Sequence, residues 1–210
     1  SLMDINFRKY SILDRFNVSR ETCIDFEKFI SLIREKNKEI NIISTKTEKK
    51  SIIRERHIID SAQAIDFIDL NDNICSDLGA GAGLPGVVLA IMMKNLNKSM
   101  KFKLYEKSHL KSAFLREVTR KLNLNIEIVE GDIFKKINLS SDTVIGRAFK
   151  PLPVVLELMN KNFVNYKNLI LFMGKNGKQT LKDAFKEWKF EYKEKMSLTS
   201  DDSFLINIKV

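Results

Sequence analysis

Four of the chain's 8 glycines fall within ten residues, in Asp77-Leu78-Gly79-Ala80-Gly81-Ala82-Gly83-Leu84-Pro85-Gly86. Such a loop turns with positive φ and lets a ligand approach main chain where a Cβ would collide. Asp77 opens the loop, and Glu106 stands 20 residues beyond Gly86. A carboxylate is an acceptor-only group, so Glu106 is suited to the two hydroxyls of a ribose diol. These residues predict a nucleoside-bearing ligand held at the tips of two adjacent strands.

Two ligand classes fit that description. Gly81-x-Gly83-x-x-Gly86 with an acid 20 residues on satisfies the dinucleotide fingerprint, which points to a nicotinamide cofactor and an oxidoreductase. Asp77 argues for the other class. A carboxylate just ahead of the loop disfavours a nearby pyrophosphate but favours the ammonium and sulfonium charges of S-adenosylmethionine. The methyl donor is the preferred reading and the nicotinamide enzyme is the alternative; a glycine turn of purely structural purpose is the third reading.

The elements that must position these groups follow from hydrophobic periodicity. Apolar residues at helical spacing (Cys23, Phe26, Ile30, Ile33) predict a helix over Ser19 to Ile40, with Ser19 as N-cap. Ile52, Ile53, Ile59, Ala62 and Ile65 predict a second over Lys49 to Ile68, so residues 1–70 read as a helical N-terminal extension. Residues 71–210 then alternate short β-rich runs with helical patterns, the signature of a Rossmann-like, mostly parallel α/β sheet. The predicted strands are Ile74 to Asp77, Phe102 to Glu106, Ile126 to Glu130, Thr143 to Gly146, Asn168 to Met173, Phe190 to Met196 and Phe204 to Val210. Helical patterns over Gly86 to Met93, Leu110 to Leu122, Pro153 to Asn160 and Lys178 to Trp188 supply the crossovers. The connection Asp201-Asp202-Ser203 is too short for a crossover helix, so the seven-stranded sheet is expected to close on an antiparallel C-terminal edge. Extension and core together are expected to form one compact domain.

Composition bounds the rest. With 44% hydrophobic and 30% charged residues and only 3 prolines, the chain reads as folded and globular. No apolar run approaches the roughly 18 residues of a membrane span. The first residues do not read as a secretory signal, and a cytoplasmic location is expected. Cys23 and Cys75 are isolated and read as buried thiols; no metal-ligand cluster is visible. A net charge of +9 and pI near 9.4 suit a polyanionic partner, although biased composition produces the same excess. Lys46, Lys49, Lys50, Arg54 and Arg56 are candidates for phosphate contact or, equally, a solvated helix face.

Several segments beyond the loop carry a family likeness: Asn41-Ile42-Ile43-Ser44, Arg56-His57-Ile58-Ile59-Asp60-Ser61, the Leu84-Pro85-Gly86 ending, Lys111 to Val118, Gly146-Arg147-Ala148-Phe149 and Pro151-Leu152-Pro153. With these the chain resembles the bacterial 16S ribosomal RNA guanine-N7 methyltransferases, the glucose-inhibited division protein B family. The resemblance implies S-adenosylmethionine as cofactor and small-subunit ribosomal RNA, free or in a particle, as substrate. It implies that Gly79 and Leu84 line the cofactor site beside Asp77, Gly81 and Glu106, and that Asp132, Ile133 and Phe134 flank the adenine. Arg147 is implied to contact cofactor or substrate, and His57 is a second substrate-positioning candidate; a local hydrogen bond from His57 to Asp60 is the competing expectation. Where the family carries Arg-x-Glu after the third strand, this chain has Asp132-Ile133-Phe134, so main-chain contacts carry over most readily there. Where the family tends to Lys-Gly, this chain has Gly174-Lys175, which makes Lys175 a weaker candidate for RNA contact.

The implied chemistry asks little of acid–base groups. Guanine N7 is an acceptor with a free lone pair, so it attacks a sulfonium methyl in line without a dedicated general base. Consistently, the three prolines are Pro85, Pro151 and Pro153, which leaves no Asn/Asp-Pro-Pro-aromatic motif of amino-group methylation. Neither cysteine follows a proline, as covalent cytosine chemistry usually requires. No metal and no membrane are expected to take part, and the chain is expected to act as a monomer.

Overall fold

The computed structural model describes residues 5–147 and 150–209. Ala148 and Phe149 of the Gly-Arg-Ala-Phe motif, and Val210 of the predicted last strand, lie outside the described residues. Seven strands form one sheet, introduced here in chain order: β1 (Ile74–Leu78), β2 (Lys101–Glu106), β3 (Ile126–Glu130), β5 (Thr143–Gly146), β7 (Asn168–Met173), β8 (Glu191–Met196) and β9 (Phe204–Lys209). Their spatial order is β3-β2-β1-β5-β7-β9-β8. The first five are parallel; β9 runs antiparallel to both β7 and β8. The antiparallel edge expected from the short 201–203 connection is present, with the last strand inserted inside the edge rather than forming it.

Helices cover both faces. α1 (Arg20–Asn37) begins where Ser19 Oγ accepts the Thr22 N–H at 3.1 Å, as its capping position predicted. α4 (Gly86–Leu96) follows the glycine loop, and every residue from Gly86 to Met93 is buried. A helix apolar all round needs cover on both sides, and the N-terminal helices supply it. Tyr10, Phe26, Phe29 and Ile33 share one core with Val87, Leu89 and Phe114. α5 (His109–Lys121) packs on β2 and β3. On the opposite face α6 (Leu152–Asn162) and α7 (Gly177–Ala184) build a second core around Leu78, Val144, Leu169 and Ile206. Cys23 and Cys75 are buried free thiols, one in a helix and one in a strand, and burial pushes both pKa values up.

Three local features depart from expectation. The second predicted helix is not regular: α2 (Lys50–Ile52) runs into a π-helical stretch, Ile53–Ile59, then α3 (Asp60–Ala62) and a 3-10 turn, Gln63–Phe67. In a π turn, residues five apart stack, so Ile53 and Ile58 both fall on the buried face. A 3-10 helix over Phe7–Phe16, bounded by Asn6 and by Asn17 at φ 56°, precedes α1. Two short strands, β4 (Leu139–Ser140) and β6 (Phe163–Asn165), pair outside the main sheet and are too brief for periodicity to reveal.

Candidate active site

Parallel register brings the tips of β1, β2 and β5 together: Asp77 lies beside Leu104 and Ile145, and Leu78 beside Gly146. The glycine loop leaves β1 at this edge. Its last glycine is required by a close approach, because the Asp77 carboxylate reaches back to accept the Gly86 N–H through Oδ2 at 2.8 Å. A Cβ on Gly86 would stand 2.6 Å from that same oxygen. Asp77 thus occupies the N-terminal end of α4, where a negative charge is favoured. Its other oxygen, Oδ1, is buried with no hydrogen-bond partner among the described residues. Burial is the largest influence on this carboxyl and pushes its pKa up to about 7, against the lowering from the Gly86 N–H and Arg147.

Glu106, at the tip of β2, is also buried. Oε1 accepts the Gly81 N–H at 2.8 Å and Oε2 the Ser108 N–H at 2.7 Å, so the carboxylate is fixed by main chain and each oxygen keeps a free lone pair. Gly81 adopts φ +56°, and a Cβ there would meet nothing nearer than the Gly79 carbonyl at 4.0 Å. The loop is therefore bare on the side that faces a cavity of about 320 Å³ lined by Gly79, Gly81, Glu106, Asp132, Ile133 and Phe134. Asp132 Oδ1 accepts the Phe134 N–H at 3.0 Å and shapes the short turn Ile133–Lys135. Ile133 is buried in the second core, while Phe134 presents an exposed ring.

Arg147, immediately after β5, sits among a dense set of contacts. Nη1 donates to Asp60 Oδ2 at 2.8 Å and Nη2 to Ser61 Oγ at 3.1 Å, and the guanidinium lies 4.2 Å over the Phe172 ring. Nε is buried without a hydrogen-bond partner among the described residues. The other Asp60 oxygen accepts from Gln63 Nε2 at 2.8 Å, Ser197 Oγ at 3.2 Å and Thr199 Oγ1 at 3.0 Å. The helical extension and the turn after β8 therefore hold Arg147 jointly. A second cavity, about 300 Å³, opens beside it toward the start of α7, and Lys150 lines both cavities.

The structure thus brings Gly79, Gly81, Glu106, Asp132, Ile133 and Phe134 around one cavity, with Asp77 beneath the loop and Arg147 beside it. Leu84 is not among that cavity's lining; it is half-buried against the first core, because the loop turns it inward ahead of α4. His57 does not bond to Asp60, whose oxygens are already taken; its Nε2 lies 3.1 Å from Thr47 Oγ1. Burial first, then the Arg147 charge, holds the His57 imidazole below its ordinary pKa, so it is neutral at pH 7. Arg54 is no phosphate contact: it is 5% exposed and pairs with Glu27 through Nε at 3.2 Å and Nη2 at 2.9 Å. Lys46, Lys49, Lys50, Arg56 and Lys175 are exposed. Sequence reasoning missed Asp60 as the hub that orders Arg147; its partners in the 197–199 turn are more than 130 residues away, a distance no local pattern spans. Among the described residues no helix is long and apolar enough to cross a membrane, and no three His, Cys, Asp or Glu side chains are grouped to hold a metal.

This strand order, with a glycine loop after the first strand and acids at the tips of the first two, defines the Rossmann-like fold of S-adenosylmethionine-dependent methyltransferases. Solved structures agree at the level of the fold. A S-adenosylmethionine-dependent methyltransferase from Aquifex aeolicus superposes with a TM-score of 0.56 at 15% identity, covering 83% of this chain and 97% of that one. A fibrillarin/Nop5p complex gives 0.56 at 15%, covering 75% and 82%. At sequence level, residues 22–203 match the family model of rRNA small subunit methyltransferase G. The ribosomal RNA small subunit methyltransferase G of Pelagibacter ubique is 53% identical over 207 residues, covering 99% of this chain and 97% of that protein. Its counterpart in Orientia tsutsugamushi (strain Ikeda) is 37% identical, covering 93% and 94%. The chain belongs to the rRNA small subunit methyltransferase G family. Neither fold nor relatives lend support to the nicotinamide alternative.

Proposed function

We propose that this protein uses S-adenosylmethionine to methylate N7 of a guanine in small-subunit ribosomal RNA, acting as a monomer in the cytoplasm, with residues 1–70 and 71–210 working as one unit. The observation that carries the cofactor assignment is the buried, unpartnered Oδ1 of Asp77 beneath a glycine loop that leaves its backbone bare. A ligand ammonium would satisfy that oxygen, the Glu106 lone pairs would take ribose hydroxyls, and the Asp132 to Phe134 turn would flank the adenine. When bound, S-adenosylmethionine supplies an electrophilic methyl on a sulfonium that departs as a neutral thioether.

The chain's own residues then position and shield. Guanine N7 needs no proton removed, so a His57 imidazole held below its ordinary pKa is compatible with the reaction. Asp60 and Ser61 fix the Arg147 guanidinium, and placement of this kind lowers a barrier by sparing the entropy of alignment. N7 lies in the deep groove of A-form RNA, so the target is expected in a loop or otherwise unstacked.

Calorimetry tests the cofactor directly: S-adenosylmethionine is expected to bind and NAD not to. Gly81→Ala should keep the fold, since its Cβ has room and the positive φ costs only about 1–2 kcal/mol, yet lower the affinity at least tenfold by filling the bare side of the loop. Equal affinity of the variant would remove the loop from the site. Mass-spectrometric mapping of 7-methylguanosine in ribosomal RNA, with and without the protein, tests the substrate.

A further inference from the structure

The second cavity has a construction of its own. Its floor is apolar: Leu152, Val155 and Leu171 are all buried. One wall is Phe172 with the Arg147 guanidinium stacked on it. Asn176, at the N-cap position of α7, also lines the cavity. Asn at that position ordinarily accepts a hydrogen bond from the first turn, but here the side chain makes no capping bond. Among the described residues its carboxamide has no hydrogen-bond partner, and Lys150 and Lys175 line the same cavity.

We infer that this second cavity, between the tip of β5 and the start of α7, is the seat of the target guanine, with Asn176 reading its Watson–Crick edge. The inference rests on the methyltransferase reading above and goes beyond it by locating the base. A slot with an apolar floor and a planar aromatic–guanidinium wall suits an unstacked base. The Asn176 carboxamide offers an acceptor for the N1–H and N2–H donors of guanine and a donor for O6. Lys150 and Lys175 add donors for O6, where adenine would present its own amino donor instead. Holding that edge at α7 leaves the adjoining Hoogsteen edge, with N7 next to O6, free to face the cavity beside the glycine loop, which Lys150 also lines. The base is thereby gripped by atoms that take no part in the transfer, and N7 is left open.

The test uses the full chain saturated with S-adenosylhomocysteine. Titration with guanosine monophosphate, followed by backbone and side-chain amide NMR, should shift Gly174, Asn176 and Gly177, and adenosine monophosphate should not. Asn176→Ala should abolish those shifts and raise KM for small-subunit particles about tenfold, as for one lost hydrogen bond of about 1.4 kcal/mol. Its kcat, melting temperature and S-adenosylhomocysteine affinity should stay within twofold or 2 °C of the parent, which a merely structural role would not allow. Shifts that map elsewhere, shifts equal for both nucleotides, or an unchanged KM would each overturn the assignment. Absence of methyl transfer by the parent protein would instead strike the proposed function, while the NMR map decides the base site by itself.

Discussion

At the scale of single residues, the most informative group is Asp77, because its two oxygens have opposite circumstances. Oδ2 caps α4 through Gly86, and Oδ1 is buried alone. With its pKa raised from 3.8 to about 7, the folded, ligand-free protein keeps a proton that the unfolded chain gives up near pH 4. Stability is thus greatest below the unfolded value and falls as pH rises through about 7. A ligand ammonium favours the ionised form, so binding below that pH must expel the proton. Affinity for S-adenosylmethionine should accordingly fall about tenfold in total as pH drops from 8 to 6, steepening toward about tenfold per unit only below that range. Asp77→Asn should flatten that dependence, weaken binding, and raise the ligand-free melting temperature at pH 8 by a few degrees. Calorimetry and thermal melts at both pH values check it, and pH-independent affinity in the parent would refute it. Asp77, Glu106 and the loop were legible in sequence because their spacing is local and glycine-bound. The inward turn of Leu84 was not, since it depends on how the loop meets α4.

At the scale of elements, the strands and the antiparallel C-terminal edge could be read closely, since β-rich runs alternate with helical ones and the connection between the last two strands is too short for a crossover helix. The helical extension was read less well. Its second helix contains a π stretch whose purpose is tertiary: it buries Ile53 and Ile58 while swinging Arg54 onto Glu27 of α1. Tyr10 also donates to Glu27, so three elements converge on one carboxylate. Burial would raise the Glu27 pKa, but the hydrogen bonds from Arg54 and Tyr10 outweigh it and hold it below the ordinary value. Glu27→Leu leaves a guanidinium that is 5% exposed without its counter-charge, at a cost of about 3–5 kcal/mol. The double variant Glu27→Leu with Arg54→Met should recover most of that loss, because a buried pair can be replaced by apolar volume at little net cost. Urea unfolding of the four proteins of this cycle measures the coupling; an unaltered midpoint in the single variant would show that the pair is solvated.

For the whole molecule, the net charge of +9 matters through where it is not neutralised. Arg147 and Arg54 spend their charge internally on Asp60 and Glu27. Lys107 and Lys111 line the first cavity, Lys175 lines the second, and Lys150 lines both; none of these four forms an ion pair among the described residues. The free cations therefore collar the strand tips, where phosphates flanking an unstacked guanine would lie. Affinity for small-subunit particles should then fall steeply between 50 and 200 mM KCl, with a logarithmic slope of about 0.7–0.9 per phosphate neutralised. S-adenosylhomocysteine affinity should change by less than about twofold over the same range, because Asp77 is buried and poorly screened. Lys107→Ala should reduce the particle slope by about one unit without altering cofactor binding. Filter binding across a salt series decides it: a slope unmoved by Lys107→Ala would take that lysine off the RNA path and leave the rest of the collar to account for the steering.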